Sequence, residues 1–255
     1  MKLGIYNIIF SIFCVGYCYL ALEYGWPVWL VFIFLLLYFL FILVVSTTIR
    51  FNFFLKGYHS QPSEKSRIAL TFDDGPSEYT PEILELLKKH QVQAAFFCIG
   101  KQIEKYPEIF QQILEDGHII GNHTFHHTRK IGFLSSEQIF REILACDEIV
   151  ENKSGLKLKL FRPPFGIINP KTKRAIQRSG HLVMGWNVRP YDAITKSPEV
   201  IIKRITRKLK PGDVILLHDN QQKTVSILEQ LLVILEKKNL GTLRPDKLFG
   251  IHAYR

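Results

Sequence analysis

Cysteine is scarce and scattered. Four occur in 255 residues, at Cys14, Cys18, Cys98 and Cys146, with no CxxC spacing, so no disulfide framework or cysteine metal knuckle is legible. Cys14 and Cys18 lie one helical turn apart in an apolar run, a setting that suits packing better than metal binding. No internal repeat, zinc-finger spacing or aromatic RNA-binding signature is present, which makes nucleic acid the least favoured of the partners a basic chain could take. Charge is almost missing from the first fifty residues: between Leu3 and Ile49 the only charged side chain is Glu23. A cleavage site of small residues is also missing after the first apolar run, so a secretory leader fits that run poorly.

What is present is ordinary core-forming composition and a net charge of +10, from 33 Lys and Arg against 23 Asp and Glu. That balance suits an anionic membrane surface or an acidic substrate, and equally suits plain solubility. The uncharged region splits at "EYGWP" into "LGIYNIIFSIFCVGYCYLAL" and "VWLVFIFLLLYFLFILVVSTTI", each about the length that crosses a bilayer. Both runs are apolar on every face, which argues against a buried soluble hairpin. The expectation is a transmembrane hairpin over residues 1–49, with spans near 3–22 and 28–49. Gly25 and Pro27 supply the break, and Tyr24, Trp26 and Trp29 an interfacial aromatic belt. Positive charge at Lys2, Arg50, Lys56, Lys65 and Arg67 flanks the hairpin on one side, which points the rest of the chain toward the cytoplasm.

Residues 50–66 read as an interfacial stretch and polar linker, and residues 67–255 as one globular domain. There, short apolar runs alternate with amphipathic helical ones. "RIALTF", "AAFFCIG", "HIIGNH", "LKLFRPPFG", "HLVMGWNV" and "DVILLHD" read as strands. "TPEILELLKKH", "YPEIFQQILEDG", "SEQIFREILACDEIVENKSG", "SPEVIIKRITRKL" and "TVSILEQLLVILEKKN" read as helices, the first with Ile83, Leu84, Leu86 and Leu87 on one side. Such alternation predicts an α/β fold, a parallel sheet or barrel with helices outside.

Five of the expected strands end in polar or unusual residues: "TFDDGP", "GNHTFHH", "FRPPFG", "GWNVRPYD" and "LLHDN". Each alone has an ordinary explanation, since Asp, Gly and Pro make turns and a single His is more often packed or solvated than a ligand. Together they mark one end of the sheet, where functional groups gather. His123 and His127 are spaced so that on a helical turn both imidazoles face one way and share an ion, while His126 points elsewhere. A carboxylate from Asp73 or Asp74 completes two His and one Asp, leaving a coordination position free. The cation then offsets one of the adjacent carboxylates and leaves the other for proton transfer.

These five stretches, in this order, resemble the motifs of the polysaccharide deacetylases of carbohydrate esterase family four, also called the NodB-homology domain. The resemblance runs from about Arg67 to the C-terminus. It implies a distorted (β/α) barrel and metal-dependent hydrolysis of an N-acetyl, or sometimes O-acetyl, group on a sugar. Asp73 would be the general base; Asp74, His123 and His127 would hold a divalent ion, zinc by preference, with Co2+, Ni2+ or Mn2+ as alternatives. Thr124 would hydrogen-bond within the histidine loop. Arg162 would orient Asp73 and keep it charged, while Pro163, Pro164, Phe165 and Gly166 shape a groove wall with an oxyanion-binding N–H near Phe165. Trp186 would pack beside the site, Asp192 would pair with the imidazole of His218, His218 would be the general acid, and Leu216 would line the acetyl pocket.

The chain departs from the family pattern at Ala193, where an aromatic is frequent, and at Arg189, where an acidic residue is common. Arg189 reads either as a ligand for a substrate phosphate or carboxylate, or as a salt-bridged or solvated surface residue. The substrate is expected to be an acetylated amino-sugar glycan of the cell envelope, reached by an integral membrane protein anchored in lipid through its hairpin, with no protein partner evident; an envelope polymer would require the domain to face outward, against the charge bias, so its facing stays open. Two alternatives stand beside it: a deacylase or deformylase of a lipid-linked sugar precursor, and a non-catalytic glycan-binding protein.

Overall fold

The structure, a computed structural model, describes residues 2–207 and 209–255. Two apolar helices come first, α1 (Lys2–Tyr24) and α2 (Leu30–Thr47), slightly displaced from the expected spans. Both are long and apolar enough to cross a membrane, and almost none of their side chains is buried. They turn back on one another at Gly25, where φ is 69°, a conformation that a residue without Cβ adopts freely. The hairpin is zipped by aromatic pairs, Phe10 stacked on Tyr38 at 4.1 Å and Phe13 edge-on to Phe34 at 5.0 Å. The Tyr38 hydroxyl donates to the Asn7 side-chain oxygen, which satisfies two polar groups inside an apolar pair.

The strands are β1 (Gly57–Tyr58), β2 (Arg67–Asp73), β3 (Ala95–Cys98), β4 (Ile119–Asn122), β5 (Leu160–Phe161), β6 (Leu182–Met184), β7 (Val214–His218) and β8 (Gly241–Thr242). They are joined by α3 (Thr80–Lys89), α4 (Gly100–Lys105), α5 (Pro107–Glu115), α6 (Ser136–Ser154), α7 (Pro170–Ser179), α8 (Pro198–Thr206), α9 (Lys223–Lys237) and α10 (Pro245–Phe249). The sheet runs β1-β6-β5-β4-β3-β2-β7 with every ladder parallel, and β8 extends the start of β2. Its two edges approach without a full ladder: Ser60 bridges Asp213, and Val188 bridges Ile215. The result is a curled, incompletely closed barrel with helices outside, as the alternation of elements predicts.

Helix boundaries follow local chemistry. In α6, Ser135 and Gln138 form a reciprocal capping box, and Gly155 ends the helix at φ 72°. α3 carries Pro in its first turn and buries Ile83, Leu84 and Leu87, with Leu86 partly buried beside them. The expected helix over 197–209 is shorter, ending at Thr206; Lys208, within that expectation, lies outside the described residues.

The stretch expected as an interfacial segment and linker is structured. Gly57 and Tyr58 form β1, Phe54 is buried, and Gln61 N–H donates to Gly212 O at 2.8 Å. A two-residue Gly-Tyr strand carries no alternation to read, so the sequence gives no strand signal there. The end of α2 is also built into the domain: Val45 and Ile49 join the apolar cluster around Phe161 and Ile168, and Ile168 N–H donates to Ser46 O at 2.8 Å.

Gly212 is where β1 and the barrel meet most closely. Its φ is 81°, and a Cβ there would stand 2.0 Å from Gln61 O. Gly212→Ala is therefore expected to cost about 2 kcal/mol or more, from left-handed strain and displacement of the 57–61 segment. In detergent, the melting temperature should fall by about 4 to 8 °C; an unchanged melting temperature would show that this approach carries no stability.

Candidate active site and metal centre

Because all ladders are parallel, β2, β4, β5, β6 and β7 deliver their C-terminal ends to one mouth of the barrel. Asp73 ends β2, Asn122 ends β4, Arg162 follows β5, Trp186 follows β6 and His218 ends β7. Ten of the residues singled out from the sequence converge here. Asp73, Asp74, His123, His127, Phe165, Trp186, Leu216 and His218 line one cavity of about 180 Å³. Arg162 and Asp192 stand behind it, each wholly buried.

Arg162 donates to Asp73 Oδ1 at 2.6 Å and to Thr71 Oγ1 at 2.9 Å through Nη1. Its Nε and Nη2 donate to Met184 O at 3.1 Å and Gly185 O at 3.0 Å. The guanidinium lies over the Phe97 ring at 4.0 Å and the Trp186 ring at 5.5 Å. One carboxylate oxygen of Asp73 is thereby fixed and the other faces the cavity, 3.8 Å from His123 Nε2.

The two histidines do not sit on a helical turn, contrary to the sequence expectation. Residues 123–128 form a loop in which Thr124 (φ 68°) and His127 (φ 51°) are left-handed. That loop still brings the two rings within 4.7 Å. The Thr124 hydroxyl accepts from His127 N–H at 3.1 Å, and Thr124 N–H donates to Asn122 Oδ1 at 2.8 Å. His126 turns outward to Glu142, 2.7 Å away.

The donor set fits a divalent ion. His123 Nδ1 lies 2.7 Å from Arg162 O, a group that only accepts, so in the neutral ring Nδ1 carries the proton and Nε2 presents a lone pair. That nitrogen is 3.5 Å from Asp74 Oδ1, and His127 Nε2 is 3.4 Å from the same oxygen. Asp74 Oδ1 is buried without a hydrogen-bond partner. Donors sharing one tetrahedral ion about 2.1 Å away stand roughly 3.4 Å apart, so a cation accounts for both the spacing and the unsatisfied oxygen. Burial opposes charge on Asp74, but the imidazoles of His123, His127 and His218 outweigh it and hold the carboxyl well below its usual range. Burial, helped by His123, lowers His127 to about 4 against the pull of Asp74, leaving a neutral ring near neutral pH.

On the opposite wall, Asp192 accepts from His218 N–H at 2.7 Å and approaches His218 Nδ1 at 3.0 Å. Burial works against the imidazolium, but the hydrogen bond and charge of Asp192, with the charges of Asp73 and Asp74, raise His218 to about 9. The neighbouring Asp219 had no role in the sequence reading. Its carboxylate accepts from Thr80 Oγ1 at 2.7 Å and its carbonyl from Ser77 Oγ at 2.5 Å, clamping the turn after Asp74. A Cβ on Gly75 would lie 2.0 Å from it, which is why that turn needs glycine. Burial, joined by the charge of Asp74, pushes Asp219 up to about 7 despite the Thr80 hydrogen bond.

Asn122 was also missed. Its amide donates to Ile143 O and Asp147 Oδ1, each at 2.8 Å, while its oxygen holds the histidine loop. Its place immediately before His123 was the available signal. Asn220, missed too, donates to Asp74 Oδ2 at 3.2 Å. Arg189 forms no ion pair among the described residues; it is exposed at the cavity rim, over Trp186 and Tyr191.

Comparison with known proteins agrees with this geometry. The polysaccharide deacetylase family profile matches residues 60–184. A peptidoglycan-N-acetylglucosamine deacetylase of Bacillus cereus is 34% identical over 195 residues, covering 74% of this chain and 70% of that protein. The crystal structure of the Bc1960 peptidoglycan N-acetylglucosamine deacetylase superposes with a TM-score of 0.72 at 32% identity, over 77% of this chain and 94% of that one. A pseudoenzyme of carbohydrate esterase family four from Bacillus anthracis aligns with a TM-score of 0.67 at 26% identity, over 72% of this chain and 65% of that one. By sequence, fold and the order of its strand-end motifs, the chain belongs to the polysaccharide deacetylase family, hydrolases that act on the carbon–nitrogen bond of acetylated sugars.

Proposed function

We propose that the chain is a membrane-anchored, zinc-dependent deacetylase that hydrolyses the N-acetyl group of an amino-sugar glycan of the cell envelope. The observation that carries this reading is the convergence, in one cavity, of a lone-pair cluster (Asp74, His123, His127) with a fixed carboxylate on one side and a raised imidazole on the other. The two relatives named above as peptidoglycan N-acetylglucosamine deacetylases support the substrate class. Residues 1–49 form the anchor in this reading, and the catalytic domain begins at β1 rather than after residue 66.

Asp74, His123 and His127 would hold the ion, and when bound it supplies Lewis acidity that polarises the acetyl carbonyl and makes a water more acidic. Asp73, with one oxygen fixed by Arg162, offers the other to take that water's proton as general base. Leu216, Trp186 and Phe165 supply apolar walls against which the acetyl methyl packs. His218, protonated at working pH through Asp192, donates its proton to the departing sugar nitrogen, which cannot leave as an anion. Acetate and a free amino sugar result. Zinc-loaded full-length protein in detergent should release acetate from N-acetylated glycan fragments. Bound zinc with no release from any acetylated sugar would instead favour a binding protein.

Asp73→Asn should lower kcat by about 10²- to 10⁴-fold while leaving one metal per chain by elemental analysis; loss of metal as well would mean that Asp73, not Asp74 alone, is a ligand.

The pH profile follows from the His218–Asp192 pair. A group raised to about 9 is protonated below that value, so kcat should fall as pH climbs through an alkaline limb at or somewhat below about 9, since a bound cation counteracts the carboxylates. Asp192→Asn removes the main cause of the rise and should move this limb down by at least about one pH unit. A limb that stays in place would remove His218 as the acid.

A further inference from the structure

Beside the catalytic cavity lies a second one, of about 330 Å³, which the reaction outlined above leaves unused. Its walls come from two distant parts of the chain. Thr47, Thr48 and Arg50 belong to the end of α2 and the turn that follows it, whereas Asn187, Arg189 and Tyr191 belong to the loop after β6. Trp186, Arg189 and Tyr191 line both cavities, so the two share a wall.

The electrostatics of this space are one-sided. No carboxylate lines it. Neither Arg50 nor Arg189 has an acidic partner among the described residues. Arg50 reaches only the Asn187 carbonyl, at 3.5 Å, and Arg189 rests on the faces of Trp186 and Tyr191, 5.5 and 5.1 Å from their centroids. The nearby carboxylate of Asp213 is already occupied by the Asn187 amide at 2.6 Å and Lys210 N–H at 2.9 Å.

Two guanidinium groups brought to one cavity present more donors than a planar carboxylate accepts from one direction. A tetrahedral phosphate accepts on every side and suits both. The place in the fold adds a second argument. The cavity lies where the apolar α2 ends and enters the domain, and Ile168 N–H to Ser46 O ties that end to the wall that carries Phe165. With α2 in a bilayer, the cavity opens at the depth of lipid phosphates.

We propose that this cavity is a phosphate subsite of the catalytic groove, gripped by Arg50 and Arg189, and that the acetylated sugar this chain acts on carries a phosphate. The proposal rests on the deacetylase reading and narrows its substrate.

Full-length zinc-loaded protein in phosphatidylcholine nanodiscs provides the test, with acetate release measured on three substrates. These are N-acetylglucosamine joined through phosphate to a short isoprenoid alcohol, soluble N-acetylglucosamine 1-phosphate, and neutral tetra-N-acetylchitotetraose. At least one phosphorylated substrate should exceed the neutral one in kcat/KM by about tenfold or more. Arg50→Ala and Arg189→Ala should each reduce that preference about tenfold, and the Lys variants should restore part of it. Preference for the lipid-linked compound would identify a membrane lipid as the source of the phosphate; equal use of the two would identify a soluble sugar phosphate. Equal loss on all three substrates, no preference for phosphate, or a preference abolished by adding phosphatidylglycerol to the bilayer would overturn the proposal. The last result would assign the cavity to a bilayer headgroup. If no substrate releases acetate, the deacetylase reading fails by itself. Calorimetric titration of N-acetylglucosamine 1-phosphate into wild type and the double Arg→Ala variant then decides the subsite: lost affinity upholds it and equal affinity ends it.

Discussion

Arg162 is the largest side chain wholly buried among the described residues, and its compensation organises the mouth of the barrel. A buried guanidinium without partners is prohibitively costly, and losing one partner of a buried pair typically costs about 3 to 5 kcal/mol. Here the charge is met by Asp73 from β2, while Nε and Nη2 take the carbonyls of Met184, the last residue of β6, and of Gly185 just beyond it. One side chain thereby joins three strands that are not all neighbours in the sheet, since β2 and β6 are separated by β3, β4 and β5. Its backbone carbonyl also sets the tautomer of His123. The Asp73 carboxylate, the orientation of the His123 ring and the aromatic wall thus share one point of attachment, and a change at Arg162 would disturb all of them together.

Around this point the backbone is held in conformations that most residues avoid. Asp74, Thr124, His127, Phe165 and Tyr191 all have positive φ, five of the eight non-glycine residues of that kind among those described. Each lies in a loop that follows a strand end at the mouth. Left-handed backbone at a residue with a Cβ persists only where surrounding contacts over-determine it. Those contacts are visible: Asn220 on Asp74, Asn122 on Thr124, and the Thr124 hydroxyl on His127. The polar network behind the site is thus a support for local strain, which rigid loops convert into fixed ligand positions.

This explains which parts of the molecule were legible in the sequence. Alternation of apolar runs gave the parallel α/β order, and polar strand ends gave the residues now gathered in the cavity. What periodicity could not give was the path of the histidine loop. The spacing of His123 and His127 suits a helical turn, yet left-handed Thr124 and His127 bring the rings together by another route. Nor could it give β1, since two residues show no period, or Asn122 and Asp219, whose roles exist only through partners distant in sequence, such as Asp147 and Thr80. Arg162 was visible as part of a motif; its joining of strands was not.

The junction between α2 and the domain matters more than a tether would. A flexible linker leaves a catalytic domain free to tilt, so its groove can face any direction within reach. Here Val45 and Ile49 are core residues of the domain, and Ser46 O is hydrogen-bonded to Ile168, three residues beyond Phe165. The direction of α2 is therefore fixed relative to the mouth of the barrel. Once α2 lies in a bilayer, the height and facing of the groove are set by the helix rather than by diffusion of the domain. In the proposed anchored state such an arrangement would trade reach for effective concentration, which accords with the proposal of a phosphate-bearing sugar held at the membrane surface.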